Sequence, residues 1–303
     1  MNTHICLACG EARFRVLYSN VLDYEHNIAN PDIDIIKCQQ CGLVQLFPMP
    51  AQRELVTYYP DDYANLQVES SFLMKTLMEI YFSSVHAFLR KQIPRKARIL
   101  DVGSSSGHFM EYVETIESGW ELIGVDMSIH AVEEGRKKGR EIIHSSFEEL
   151  DIPDQTFDLI IVKHIIEHVV DPKQFLLKAN RLLKKNGKLY LETPNTSCLD
   201  FKIFKKYWGG IHFPRHTYMF SDKNIDELLK TTMFGNTKIT STMNLFGWAL
   251  SIQNYIVDKY KLPLKNGRIK IYPFLMISFL PVLLIQKLFA QPAGMRVITE
   301  RIC

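Results

Sequence analysis

Apolar residues in this chain change their spacing twice. In the first sixty positions, Phe14–Tyr18 and Ile33–Ile36 alternate with period two, which predicts short half-buried strands. Phe72–Arg90 then carries Leu77, Tyr81, Val85 and Phe88 at helical spacing, and Pro94 helps stop it. From position 98 onward, short apolar runs alternate with amphipathic stripes. Ile99-Leu100, Leu122–Val125, Glu141–His144, Phe157–Val162, Lys188–Glu192 and Thr237–Met243 predict strands, and Gly294–Ile302 a last one. Between them, Phe109–Ile116, Ile129–Gly139, a stretch opened by Asp171-Pro172, and Ser221–Met233 predict helices; Asp171 suits an N-cap and Pro172 a first turn. Phe157–Val162 is apolar without interruption, as a strand covered on both faces must be. Strand and helix alternating in this way predict an α/β chain.

One stretch fits neither period. Ile271–Gln286 carries no charge, is shorter than the ~20 residues a membrane span needs, and is interrupted by Pro273 and Pro281. A transmembrane segment, a buried helical hairpin or homodimer face, and a peripheral contact with a membrane or lipid-linked substrate all remain open. Lys265, Arg268, Lys270 and Lys287 flank it and favour the peripheral contact.

Length and charge narrow the class. At 303 residues, one main domain with an appendage is expected. A net charge of +3 gives no basic face of the kind nucleic acid requires, so no nucleic-acid partner is expected. Met1–Gly10 lacks the apolar run of a secretory signal, so a cytoplasmic location is expected, with membrane association as the alternative. Cysteines in such a chain point to metal or free thiols. Cys6-Leu-Ala-Cys9-Gly10 and Cys38-Gln-Gln-Cys41-Gly42 are two CxxCG knuckles. Each pair can chelate one edge of a tetrahedron, and together they complete a four-sulfur site suited to structural Zn2+, with iron–sulfur ligation the lesser alternative.

The chemistry centres on Arg98–Ser128. A strand ends at Asp101, a turn follows as Gly103-Ser-Ser-Ser-Gly107, and a second strand ends at Asp126. A dinucleotide site needs three glycines in GxGxxG so that a diphosphate can approach the backbone. Here Ser105 stands where the second glycine would be, which disfavours a nicotinamide oxidoreductase. Asp126 lies roughly 20 residues beyond the loop, where an acid can take up ribose hydroxyls. Asp101 can hold the loop or a ligand ammonium.

The motifs Asp101-Val-Gly103-Ser-Ser-Ser-Gly107, Gly124-Val-Asp126, Phe157-Asp158-Leu-Ile, Glu167-His168-Val and Leu183-Lys-Lys-Asn-Gly187-Lys-Leu follow one another in an order and spacing that resembles the class I, Rossmann-like S-adenosylmethionine-dependent methyltransferases. The resemblance spans 96–243. It implies a seven-stranded, mostly parallel sheet whose last strand is antiparallel beside the fifth and sixth, so that Phe246–Pro292 is an insertion before that last strand. It implies S-adenosylmethionine as cofactor, with Asp101, Gly103, Ser105, Gly107, Asp126 and Met127 around it. Ser146 and Phe147 are expected at the adenine, with Phe147 as plain core the alternative, and Lys163 and His164 beside the methionine part. The division implied is 1–60 zinc ribbon, 61–95 linker helix, 96–245 methyltransferase core, 246–292 apolar helical insertion and 293–303 last strand.

Tyr207–Ser221 mixes aromatics, glycines, Pro214, Arg215 and two histidines, a composition expected of a binding loop. Its segment Arg215-His216-Thr-Tyr218-Met-Phe220-Ser221 resembles the His-bearing loop of nucleotide-sugar C-methyltransferases, which also begin with a two-knuckle zinc ribbon. Those have Glu where Arg215 stands here, and a larger C-terminal domain. His216 is therefore the expected catalytic residue, with His212 and His168 in reserve. The function expected is methyl transfer to a small or carbohydrate-type acceptor, such as a nucleotide sugar or lipid-linked surface glycan. A zinc-ribbon adaptor with a degenerate core is the non-enzymatic alternative.

Overall fold

A seven-stranded and a four-stranded sheet carry the described fold, with a two-stranded pair beside them. The computed structural model describes residues 5–59, 72–242, 244, 246–288 and 292–302. Pro60, the 61–71 part of the expected linker, Met243, and 289–291 of the expected insertion lie outside the described residues.

The N-terminal module comprises β1 (Phe14–Tyr18), β2 (Leu22–Asp23), β3 (Ile28–Ala29), β4 (Asp34–Cys38) and β5 (Val44–Phe47), then α1 (Gln52–Thr57). Next come α2 (Phe72–Leu89), β6 (Ala97–Val102), α3 (His108–Glu114), β7 (Trp120–Asp126), α4 (Ile129–Lys137), β8 (Ile142–His144) and β9 (Phe157–Lys163). The second half runs α5 (Pro172–Leu182), β10 (Leu183–Pro194), α6 (Leu199–Phe204), β11 (Tyr218–Met219), α7 (Asp222–Thr231) and β12 (Phe234–Thr242). It continues through α8 (Gly247–Tyr260), α9 (Tyr272–Ser278) and α10 (Leu280–Leu288) to β13 (Gly294–Arg301).

The large sheet has the order β12-β13-β10-β9-β6-β7-β8. β6 to β10 pair in parallel, and β13 runs antiparallel between β10 and β12. This is the Rossmann-like α/β arrangement expected, with the antiparallel strand where the resemblance put it. Chain order reverses between β6 and β9, so the crevice for a ligand opens over the ends of those two strands. The strands bury residues on both faces: Leu159, Ile160, Ile161 and Val162 of β9 are fully buried. Local chemistry fixes the helix starts. Asp171 accepts from the Gln174 backbone N–H at 3.0 Å, and Ser221 and Asn224 form a reciprocal capping box at the start of α7.

The smaller sheet has the order β1-β4-β5-β11. Its last strand comes from the segment whose composition predicts a binding loop, and here most of that segment is a buried strap. Trp208, Ile211, Phe213, Met219 and Phe220 are buried, and Tyr218–Met219 pairs antiparallel with Val44–Gln45. The reason is size: so short an N-terminal module cannot cover its own apolar face, and the core chain covers it.

Candidate active site

The loop after β6 takes the shape its sequence demands. Gly103 and Gly107 both have left-handed backbone angles, φ 70° and 78°. A Cβ on Gly103 would lie 2.3 Å from Ile165 Cδ1. Ser105 is also left-handed, φ 52°. The Ser105 N–H donates to Asp126 Oδ2 at 2.8 Å, and the Ser128 N–H to Asp126 Oδ1 at 2.9 Å. Asp126 thus holds the turn from the tip of β7. Each oxygen keeps a further lone pair, which fits ribose hydroxyls. Met127 beside it is exposed.

Asp101 at the end of β6 is 1% exposed. Burial pushes its carboxyl above the ordinary range, opposed by the Lys163 ammonium at 3.1 and 3.2 Å. That ammonium also sits 4.0 Å from the centre of the Phe109 ring. The ammonium that Asp101 holds is therefore internal, delivered by β9. Ser146 caps a turn, accepting from the Glu149 N–H at 3.1 Å. Phe147 is buried with its ring 4.4 Å from that of Phe175, the core position kept as its alternative.

Past β9, the chain turns at His164, which is exposed with φ 54° and donates its backbone N–H to the Glu192 carbonyl at 2.8 Å. Its Nδ1 lies 3.3 Å from Glu167 Oε1. Burial lowers the His164 pKa, but the Glu167 partner outweighs it and the net shift is upward. Glu167 is 1% exposed, and its Oε2 has no hydrogen-bond partner. A carboxylate oxygen of Glu167 and one ring nitrogen each from His168 and His216 all lie within 4.8 Å of one another.

The two imidazoles are set alike. His168 Nδ1 is 3.1 Å from the Arg215 carbonyl, and His216 Nδ1 2.9 Å from the Gly210 carbonyl. A carbonyl only accepts, so Nδ1 carries the hydrogen in His216 and Nε2 keeps the lone pair; the same assignment for His168 has the Tyr59 hydroxyl accepting from Nδ1 alongside the Arg215 carbonyl. Tyr59 Oη lies 2.8 Å from His168 Nδ1 as well. Burial lowers the His168 pKa to about 4 and the His216 pKa well below its ordinary value, so both rings are neutral at pH 7. The rings meet edge to face with centres 4.5 Å apart. His216 is 5% exposed, whereas His168 is half-buried.

His212 goes to a different task. Its Nδ1 lies 2.9 Å from Glu25 Oε2, in a buried group where Arg215 Nη2 reaches Asp23 Oδ2 at 2.7 Å and Arg268 also pairs with Glu25. Burial raises the Glu25 pKa, but His212, Arg268 and Arg215 outweigh it and hold the carboxyl well below the usual range. This group locks the N-terminal module, the 207–220 segment and the α8–α9 connection together. It accounts for Arg215: the N-terminal module supplies two carboxylates that a Glu at that position would repel.

Sequence reading missed Glu192, 3% exposed at the end of β10, where Oε1 accepts from Arg296 Nε at 2.9 Å and Tyr81 donates to Oε2. Its one signal was an acid closing an otherwise apolar strand.

The four knuckle cysteines converge. Cys6 Sγ lies 3.6 Å from Cys41 Sγ, Cys9 Sγ lies 3.6 Å from Cys38 Sγ, and all four sulfurs fall within 4.8 Å of one another. Tetrahedral zinc–sulfur bonds of ~2.3 Å would place sulfurs about 3.8 Å apart, so the donor set fits such an ion. Gly10 and Gly42, φ 75° and 79°, donate back to the Cys6 and Cys38 carbonyls.

Strand order, reversal point and acid-tipped β7 together define a class I S-adenosylmethionine-dependent methyltransferase. Residues 74–238, just over half of the chain, match the model of a family described as a methyltransferase domain, and the chain belongs to that family. It is 29% identical over 164 residues to an uncharacterized protein of Methanocaldococcus jannaschii, covering 54% of this chain and 76% of that one. It is 33% identical over 111 residues to a mitochondrial ubiquinone biosynthesis O-methyltransferase of Schizosaccharomyces pombe, covering 34% of this chain and 39% of the relative, so less than half of that enzyme is spanned. In fold it is similar to a SAM-dependent methyltransferase from Archaeoglobus fulgidus, with TM-score 0.51 and 19% identity over 73% of this chain and 93% of that one.

Proposed function

We propose that this methyltransferase acts on a hydroxyl of a small, carbohydrate-type acceptor, with the His168–His216 pair receiving the proton. S-adenosylmethionine supplies a methyl group on a sulfonium that is already a good leaving group. The residues of this chain have then to hold the nucleoside, align the acceptor and remove its proton. Asp126 and the backbone around Ser105 are assigned to the ribose side, Ser146 to the adenine, and Lys163 and His164 to the methionine end.

The observation that carries this reading is the pair of neutral imidazoles just past β9, each with Nε2 as its proton-accepting atom. His168, the more exposed, is placed against the acceptor, with His216 behind it. The buried Glu167 carboxylate next to them stabilises the imidazolium formed on proton transfer. A polar cleft of about 700 Å³ beyond the end of β10, lined by Asn195, Ser197, Lys202, Asp222, Asp226 and Ser241, supports a polyhydroxylated acceptor. The cleft shares no residue with the cofactor loop. An aromatic hydroxyl is the second reading, favoured by the ubiquinone-pathway relatives. The four cysteines are assigned to structural Zn2+, since a closed four-sulfur set leaves no position for catalysis.

The test is a mass-spectrometric screen with S-adenosylmethionine against nucleotide sugars, lipid-linked glycans and hydroxylated aromatics. The product expected is a sugar heavier by one methylene. Turnover confined to the aromatics sinks the carbohydrate reading, and turnover unaltered in His168→Asn and His216→Asn sinks the proton-acceptor role.

A further inference from the structure

We infer that the α9–α10 hairpin is a docking surface for an anionic membrane face, independent of which acceptor the enzyme uses. No described helix is long and apolar enough to cross a membrane. The hairpin is instead built inside out. Ile271, Phe274, Ile277, Leu284, Ile285 and Leu288 are exposed, Phe274 by 70% and Leu288 by 82%. On α10 the exposed positions 281, 284, 285 and 288 fall at i, i+3, i+4 and i+7, one continuous face.

The opposite face carries the polar anchor. Gln286 is 3% exposed, accepting from Trp248 Nε1 at 2.9 Å and donating to Asp200 Oδ1 at 2.8 Å. Leu283 of α10 and Tyr272 of α9 are buried as well. A helix that aims glutamine inward and leucines outward is oriented for an apolar exterior. The packing holds this orientation: the Trp248 ring stacks on Phe279 at 5.8 Å and meets Phe204 edge-on at 5.2 Å.

Charge selects the occupant. Residues 259–299 contain no Asp or Glu, while Lys259, Lys261, Lys265, Lys270 and Lys287 are all exposed. Lys261 also reaches Asp258 at 3.0 Å. An apolar ridge flanked along the chain by exposed cations of one sign suits acyl chains beneath anionic headgroups. A second copy of the same ridge would bring like charges together. The ridge is tied to the body of the enzyme through Gln286–Asp200, and Asp200 accepts from Trp208 Nε1 at 2.8 Å at the head of the buried segment that carries His216.

The experiment is cosedimentation of the full-length protein with vesicles of phosphatidylcholine alone or mixed with phosphatidylglycerol, and light scattering on the free protein. The wild type is expected to partition onto the mixed vesicles, and salt to weaken it. Leu284→Glu with Leu288→Glu, both at exposed positions, is expected to reduce partition at least about tenfold while circular dichroism and S-adenosylhomocysteine binding stay unchanged. Lys265→Glu with Lys270→Glu is expected to remove the preference for phosphatidylglycerol. A wild type left in the supernatant, equal partition onto both vesicles, or a dimer dispersed by the leucine variant without vesicle binding would each overturn the inference.

Discussion

His168 shows how much a single side chain depends on its surroundings. Its sequence neighbours identify a Glu-His pair and nothing more; the carbonyl of Arg215, 47 positions away, fixes the proton on Nδ1. With Nε2 free, replacing His168 or His216 by Asn is expected to lower kcat by about 10²–10⁴ with S-adenosylhomocysteine affinity unchanged, measured by initial rates and calorimetry. The pKa shift sets a direction for stability as well. An unfolded His168 binds its proton near pH 6.5, whereas the folded one waits until about 4. The unfolded state therefore takes up more protons in that window, and stability falls as pH drops from 6.5 to 4. About 3 kcal/mol is expected from this residue, and denaturant melts of wild type and His168→Gln should converge by that amount as pH falls across the window. Asp126 belongs at this scale too. Asp126→Asn is expected to lose most S-adenosylmethionine binding in titration calorimetry, because the amide N–H₂ faces a backbone donor where an oxygen accepted before.

Among the elements, β9 was the most legible because a parallel strand covered on both faces must be apolar throughout, and β6 to β8 and the second half of β10 showed as shorter apolar runs. Helix boundaries were legible where Asp171 and Ser221 cap them. The 207–220 segment was not, because its residue types suit a ligand loop and a buried strap equally. What decides is β11, a pairing with β5 across more than 170 positions that no local pattern encodes. Arg215 is the pin of that strap, 2% exposed against Asp23. Arg215→Met leaves the buried Asp23 carboxylate without its cation and is expected to cost about 3–5 kcal/mol, read as a lower midpoint in urea. Asp23→Asn in the Arg215→Met background should recover part of that loss, which separates the charge imbalance from lost packing.

For the whole molecule, the N-terminal module and the core act as one unit. Cys6, Ala8, Cys38 and Leu43 pack in the same apolar cluster as Phe220, Ile225 and Leu228. If zinc closes the four-sulfur site, chelation should be felt beyond the knuckles: stripping the metal, or Cys38→Ser, is expected to lower the melting temperature of the core by about 10 °C or more, with zinc release measured in parallel. A core that melts unchanged would show the module to be a separate appendage.

The sequence alone determined what is local: the alternation that makes an α/β sheet, the glycine and serine turn that admits a nucleoside, the acid at the tip of β7, and the paired knuckles. Each follows from spacing within one or two elements, where backbone period and ring size leave few options. Tertiary structure decided what requires distant partners to meet: that Lys163 neutralises Asp101, that two histidines are held neutral beside a buried Glu167, that Arg215 answers Asp23, and that Leu284 and Leu288 of α10 face outward. Burial and charge pairing are properties of the assembled molecule, and linear order does not carry them.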